Sequence, residues 1–320
     1  MSGPDDVRRV IAAASRVARD ASIVPALVAS TGLSRQGVEL ALARHVETSA
    51  TEEDIASLVA YAGTTKHVHV ILSANVFVAA VRAIAIAIAA SDRVTVKPSS
   101  REPVFAKALI EALADDRITI GDDSGASEIH VYGRDETIAE VRRAAGPGVR
   151  VRGHGAGMGI AIVTRDLEDA ARALAEDVIA FDQRGCLSPR IAYVRGDAGA
   201  FGRLLFEALE SRGREVPRGA LDEAAEATRW CDTIAYAGTL HRGQTCAVGV
   251  ADVRAIPPTG RHVLVRPFPI ALGDDEARYV VAVGSDMSPD ESRTIAPPHA
   301  RVSRLGMMQR PPLDGPVDRR

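Results

Sequence analysis

The chain has 320 residues, 46% of them apolar and 25% charged, the balance of a soluble globular protein able to bury a large core. A formal net charge of -3 leaves no basic excess for phosphates and excludes a general nucleic-acid binder. Aromatic residues make only 4%, so packing must rest on Ala, Val, Ile and Leu.

Cysteine usage narrows the class further. Cys186, Cys231 and Cys246 cannot all pair within the chain, and none has Cys-x-x-Cys spacing. That pattern predicts a reducing cytoplasm and no structural zinc. The most apolar stretch, 76–90, is shorter than the roughly 20 residues a membrane span needs and contains Arg82. It reads as a buried helix, and no apolar signal core opens the chain.

In chain order, residues 1–62 predict helices alone. Val7, Val10, Ile11, Ala14 and Val17 recur at helical steps and form one apolar face. Residues 49–53 offer the capped start of a further helix. From residue 67 strands and helices alternate. Strands are expected over 67–72, 93–97, 118–120, 128–132 and 149–152, with helices over 75–90, after Pro103 and after Asp135. This is the rhythm of an α/β domain with a mainly parallel sheet, in which ligands bind beyond the carboxyl ends of strands. Asn75 and the stretches 97–100, 133–137 and 153–157 occupy such places. No dinucleotide fingerprint is present: around 153–159 its third glycine would fall on Met158 or Ile160. The helix start at Gly133 and Arg134 can present backbone N–H groups to a phosphate.

The second half continues with a strand over 158–163, a helix from Asp166, and the segment 181–190. There a helix-like run ends at Gly185, Cys186 follows at once, and Pro189 prevents the helix from continuing. A thiol on such an elbow faces a cleft more readily than a core. Its thiolate, with an ordinary pKa of about 8.5, is the nucleophile, and the flanking Arg184 and Arg190 could lower that value. Helices are expected over 198–210 and 221–230, short strands over 233–236, 246–250 and 262–265, and an irregular proline-rich tail from 295. The expected divisions are a helical segment (1–62), a cofactor-binding α/β domain (63–163), a thiol domain (164–294) and the tail (295–320).

Six stretches in one order carry a resemblance: 71–76 with Asn75, 94–100 with Lys97 and Ser99, 129–137 with Gly133, 151–155 with His154, 182–189 with Cys186, and 305–313. The chain resembles the aldehyde dehydrogenase superfamily, specifically the fatty acyl-CoA reductase branch of bacterial luminescence systems. The resemblance implies two α/β lobes with mainly parallel sheets and an N-terminal helical segment. It implies Cys186 as catalytic thiol, Asn75 as an oxyanion donor, and His154 as a candidate proton relay. Lys97 and Ser99 match positions at the adenosine ribose of a nicotinamide cofactor, and Gly133 and Arg134 its pyrophosphate region. Because residues 97–100 contain no acid to repel a 2'-phosphate, NADPH is expected, with NADH as the alternative.

The implied reaction is reduction of an acyl-CoA, or an acyl-carrier thioester, to an aldehyde through a cysteine-linked acyl-enzyme. The family also implies an acyl-protein synthetase partner, and a homo-oligomer is a further expectation. Two alternatives stand beside it: reduction of an acyl phosphate of the glutamyl-phosphate type, and a non-catalytic nucleotide- or partner-binding member of the same fold. Departures from the family pattern lie at Ala74 and Phe77, and at Arg266, where Arg266-Pro-Phe268 is the nearest match to a cofactor-holding Glu-x-Phe. No general-base glutamate stands near residues 153–155, which fits acyl transfer to a thiol better than hydrolysis.

Overall fold

The computed structural model describes residues 3–122, 125–220, 224–270 and 272–313. The chain divides into two compact units. Of the described residues, those within 3–31, 41–156 and 312–313 make the first, and those within 32–40 and 157–311 make the second.

The first unit opens with α1 (Gly3–Ala18), α2 (Val24–Thr31), the end of α3 (Arg35–Arg44) and α4 (Glu52–Ala62). α1 buries Val7, Val10, Ile11, Ala14 and Val17, the face its spacing predicts. Thr51 caps α4 in a reciprocal box with Asp54. Then come β1 (Val68–Ile71), α5 (Ala79–Ala90), β2 (Val94–Lys97), α6 (Val104–Leu113), β3 (Ile118–Ile120), β4 (Glu128–Tyr132), α7 (Asp135–Ala144) and β5 (Arg150–His154). The five strands form a wholly parallel sheet in the order β3-β2-β1-β4-β5. α5 is buried nearly all round, as its Ala and Ile content requires, but starts only at Ala79, because residues 72–78 form a loop. Gly153 is where α7 closes on β5: a Cβ there would lie 2.5 Å from Ile138 Cγ2.

The second unit contains β6 (Met158–Val163), α8 (Leu167–Ile179), β7 (Pro189–Val194), α9 (Ala198–Glu215), α10 (Ala224–Ala237), β8 (Thr239–Arg242), β9 (Ala247–Val250), β10 (His262–Pro267), α11 (Asp274–Tyr279), β11 (Val280–Ser285), α12 (Pro289–Ile295) and β12 (Arg301–Arg304). Its sheet runs β12-β11-β6-β7-β10-β9-β8, parallel except for the β8–β9 pair. α8 and α9 cover one face through Leu174, Val178, Phe201 and Leu205. Trp230 and Ile234 of α10 pack with Ile160, Ile191 and Tyr193. Among the described residues no helix is long and apolar enough to cross a membrane, and no cluster of metal-ligating side chains occurs.

Three expectations shift. The boundary expected near Val163 falls between Ala156 and Gly157, because β6 pairs with β7 and β11 rather than with the first sheet. Residues 233–236, expected as a strand, finish α10, since Trp230, Cys231 and Ile234 share one buried helical face. The tail from 295 is not wholly irregular: β12 pairs with β11, and all four of its residues find ladder partners there. The local proline content hid that strand.

Candidate active site

Cys186 sits at the entry to β7. After α8 ends at Ile179, a short turn leads through Phe181, Asp182 and Gln183, all left-handed, with φ of 53°, 51° and 62°. Non-glycine residues avoid that region at a cost of roughly 1–2 kcal/mol each. The reversal expected at Gly185 is thus made ahead of it, by residues that need outside support. Asp182 supplies much of that support. Its carboxylate accepts from Arg261 Nε at 3.0 Å and Nη2 at 2.7 Å, and from the Gly219 N–H at 3.0 Å, while its carbonyl accepts from Gly260 N–H at 3.1 Å. Both partners of this ion pair are buried. Gln183 is also buried and bonds to the backbones of Pro189 and His262.

The thiol turn follows. The Ser188 N–H donates to the Gly185 carbonyl at 3.0 Å, closing a turn with Cys186 exposed on it. The Ser188 carbonyl accepts from Gly159 N–H at 2.8 Å, which ties the turn to β6. Gly159 is obligatory here: a Cβ would lie 2.4 Å from the Leu187 carbonyl oxygen and 2.8 Å from Met308 Cε. Met308 is fully buried, in a strap whose N–H groups bond the buried Asp177 carboxylate of α8, Gly306 at 2.6 Å and Met308 at 2.9 Å. Asp177, Asp182 and Met308 are not singled out by the sequence; Asp182 and Met308 fall within the 182–189 and 305–313 stretches, whereas Asp177 lies outside both.

Arg184 and Arg190, considered as cations for the thiol, donate to the Ala220 carbonyl at 3.0 Å and the Pro257 carbonyl at 3.2 Å. The other two cysteines are buried. Burial pushes the Cys231 thiol up, and burial together with the Glu210 carboxylate pushes Cys246 up further. Arg266 lies at the far end of β10, whose Pro267 aligns with Val194, the last residue of β7. Its guanidinium meets Tyr193 Oη at 3.2 Å and Asp252 at 2.8 Å. The match of 266–268 to Glu-x-Phe therefore stands at the opposite strand end from the Cys186 turn. An apolar groove of about 480 Å³ is lined by Phe268, Ile270, Leu272, Ile295 and Pro297 among others.

In the first unit the remaining candidates gather at the carboxyl ends of the strands. Asn75 is exposed in the loop after β1, and its Oδ1 accepts a hydrogen bond from Arg101 Nη2. Phe77, where the family favours proline, is a core residue whose ring lies tilted against that of Phe105, centroids 5.2 Å apart. Lys97 ends β2 with Nζ 2.6 Å from Asp122 Oδ1, just past β3. The sheet thus supplies the acid that residues 97–100 lack. Ser99 Oγ accepts from the Arg101 N–H at 3.3 Å.

Gly133 follows β4 and donates its N–H to the His154 carbonyl at 3.2 Å. Arg134 is exposed at the cap of α7, and Asp135 and Glu136 fill the first turn, an acidic start that opposes a phosphate's charge. His154 is the last residue of β5 rather than part of an open loop. Its ring is buried, 4.5 Å from that of Tyr132 and edge-on to His130 at 6.3 Å. Next to it Glu128 Oε1 lies 2.7 Å from His130 Nε2 and 2.6 Å from Arg152 Nε, a buried network joining β4 to β5. Asn75 and His154 belong to the first unit, Cys186 to the second.

Among solved structures, the chain is similar to an oxidoreductase from Marinobacter aquaeolei, at 13% identity and a TM-score of 0.67 over 91% of this chain and 74% of that one. It is similar to an NAD-dependent benzaldehyde dehydrogenase from Corynebacterium glutamicum, at 16% identity and 0.66 over 92% and 78%. An aldehyde dehydrogenase from Bartonella henselae matches at 13% and 0.63 over 95% and 78%. The chain has the aldehyde dehydrogenase fold. A family model described as "Acyl-CoA reductase (LuxC)" matches residues 120–271, which include Gly133, His154 and the Cys186 turn but not Asn75, Lys97 or Ser99. No curated protein matches the sequence. The resemblance drawn from the sequence is borne out. The LuxC-type segment supports an oxidoreductase acting on acyl or aldehyde groups.

Proposed function

We propose that the chain is an acyl-CoA reductase whose nucleophile is Cys186. The observation that carries this reading is the contrast among the three thiols. Cys186 alone is exposed, on a turn held by the ends of two strands, while burial pushes the other two away from thiolate. The Cys186 thiolate attacks the thioester carbonyl, a carbon–sulfur bond to the enzyme forms, and the bond to CoA breaks as its thiolate leaves. By resemblance, Asn75 is the expected oxyanion donor. The apolar groove lined by Phe268 and Ile295 suits only an acyl chain long enough to pass from the Cys186 turn toward the other end of β7 and β10.

The carboxyl ends of the first sheet suit a nicotinamide cofactor. A cation at Lys97 and a hydroxyl at Ser99 would meet the ribose side, the ammonium favouring the 2'-phosphate of NADPH and the paired Asp122 carboxylate opposing it, and Gly133 and Arg134 the pyrophosphate side. Arg134 would offset the acidic first turn of α7. The chemistry that a nicotinamide cofactor held there would supply is hydride. The 153–157 stretch has no carboxylate of its own, and the one that reaches it, Asp135, is engaged by the Ala156 N–H at 3.2 Å, so the acyl-enzyme should persist until it is reduced.

The experiment is mass spectrometry after mixing with acyl-CoA. The parent, Cys231→Ala and Cys246→Ala proteins should gain one acyl mass, and Cys186→Ala none. An adduct surviving in Cys186→Ala would end the assignment.

A further inference from the structure

The side chain that controls the Cys186 turn is Gln183. It is fully buried, and its amide makes three hydrogen bonds: Nε2 donates to the Pro189 carbonyl and the His262 carbonyl, both at 2.7 Å, and Oε1 accepts from the His262 N–H at 2.8 Å. Both amide protons are used. Pro189 opens β7 and His262 opens β10, while the ladder between these strands begins only at Ile191 and Leu264. The two carbonyls lie just ahead of regular pairing, and Pro189 has no N–H of its own to offer. One side chain thus spans the loop that carries Cys186, from the residue before it to the residue after it, and pins the closed loop to the neighbouring strand.

Shape alone does not explain this choice. A core position between strand ends would accept any apolar side chain of the same length, whereas two carbonyls and one N–H converging on a dry site require an amide. The left-handed backbone at Gln183, φ 62°, aims the side chain back over its own loop. Removing the amide would leave Phe181, Asp182 and Gln183 in a disfavoured conformation, with Asp182 and Arg261 still anchoring the far side. The turn would then loosen from its β7 end.

We propose that Gln183 is the positioning residue of the thiol: its amide holds the Cys186 turn in the geometry from which the thiolate attacks. It acts through the turn and touches no substrate. The inference rests on the reading of Cys186 as nucleophile. A displacement of about 1 Å at a reacting group costs on the order of 100-fold in rate.

The test uses Gln183→Met, which keeps length and loses every hydrogen bond, and Gln183→Glu, which restores one donor only when protonated. Two readouts are taken on the full chain: backbone amide exchange at Ser188 and Gly159, and the rate of acyl-adduct formation with its KM. In Gln183→Met, exchange at those two amides should rise about tenfold or more while the interior of β10 is unchanged. Acyl transfer should fall about 100-fold with little change in KM. Compared with the parent at each pH, Gln183→Glu should regain part of both as pH falls, a trend that a residue needed only for packing would not produce.

Exchange and acyl transfer within threefold of the parent in Gln183→Met would overturn the proposal. Should that variant fail to fold, Gln183→Glu decides: exchange at Ser188 and Gly159 that keeps to the parent's pH profile would overturn it equally. A parent protein that forms no adduct with acyl-CoA would remove the acyl-CoA reading, while the exchange measurement still decides whether Gln183 holds the turn.

Discussion

Lys97 and Asp122 form an exposed pair 2.6 Å apart, of a kind that contributes little to stability. Their interest lies in charge. The hydrogen bond from Lys97 holds the Asp122 carboxyl below its ordinary range, so the acid is ionised wherever a cofactor would meet it. A 2'-phosphate arriving at Lys97 must share the ammonium with that carboxylate, whereas a ribose hydroxyl could donate to it. Asp122→Asn removes the repulsion and keeps the shape. It should improve NADPH binding relative to NADH by about fivefold, the scale of a screened surface charge. Nicotinamide fluorescence titrations with both cofactors give the ratio. An unchanged ratio would mean that the 2' position lies elsewhere than at Lys97.

Two elements of the second unit lend themselves to tests of their own. Asp177 of α8 is buried beneath the 305–309 strap, and burial pushes its carboxyl from 3.8 up to about 7, against the downward pull of the Gly306 and Met308 N–H groups. Its folded-state pKa is raised, so between those values the folded chain holds a proton that the unfolded chain has lost. The resulting stabilisation is complete at the acid end of the window and is lost as pH rises through about 7. Asp177→Asn removes this dependence. From urea unfolding at a series of pH values between the two pKa values, the parent's stability should fall with rising pH more steeply than the variant's, by up to about 1.4 kcal/mol per unit. Parallel slopes would show that Asp177 does not titrate in this window.

The end of α12 offers the second test. Ile295 lines the apolar groove with Phe268 and Leu272. If an acyl chain lies there, Ile295→Trp should lower kcat/KM for long-chain acyl-CoA at least tenfold, a few methylenes' worth of burial, and leave short chains nearly unaffected. Equal losses for all chain lengths would remove the groove from substrate binding.

For the molecule as a whole, the buried Asp182–Arg261 pair joins the thiol elbow to the loop that leads into β10. Arg261→Met would leave Asp182 buried without its cation and should destabilise the protein by about 3–5 kcal/mol in equilibrium unfolding. A loss below about 1 kcal/mol would mean that Gly219 and water satisfy the carboxylate unaided.

The sequence by itself determined the α/β class, the face of α1, the strands of the first sheet and the exposed thiol at an elbow. These depend on periodicity, capping and turn chemistry, which act between residues close in the chain. Tertiary structure decided the rest. β6 joined the second sheet because its partners β7 and β11 lie beyond it in the chain, and β12 became a strand only through its pairing with β11. Asp122 reached Lys97, Gln183 reached His262, and Asp177 reached Gly306 across separations that local pattern cannot register. The left-handed run at 181–183 is the clearest case. Its own residues disfavour that conformation, and hydrogen bonds from Arg261, Gly219, Gly260 and His262, distant in the chain, accompany it in the fold.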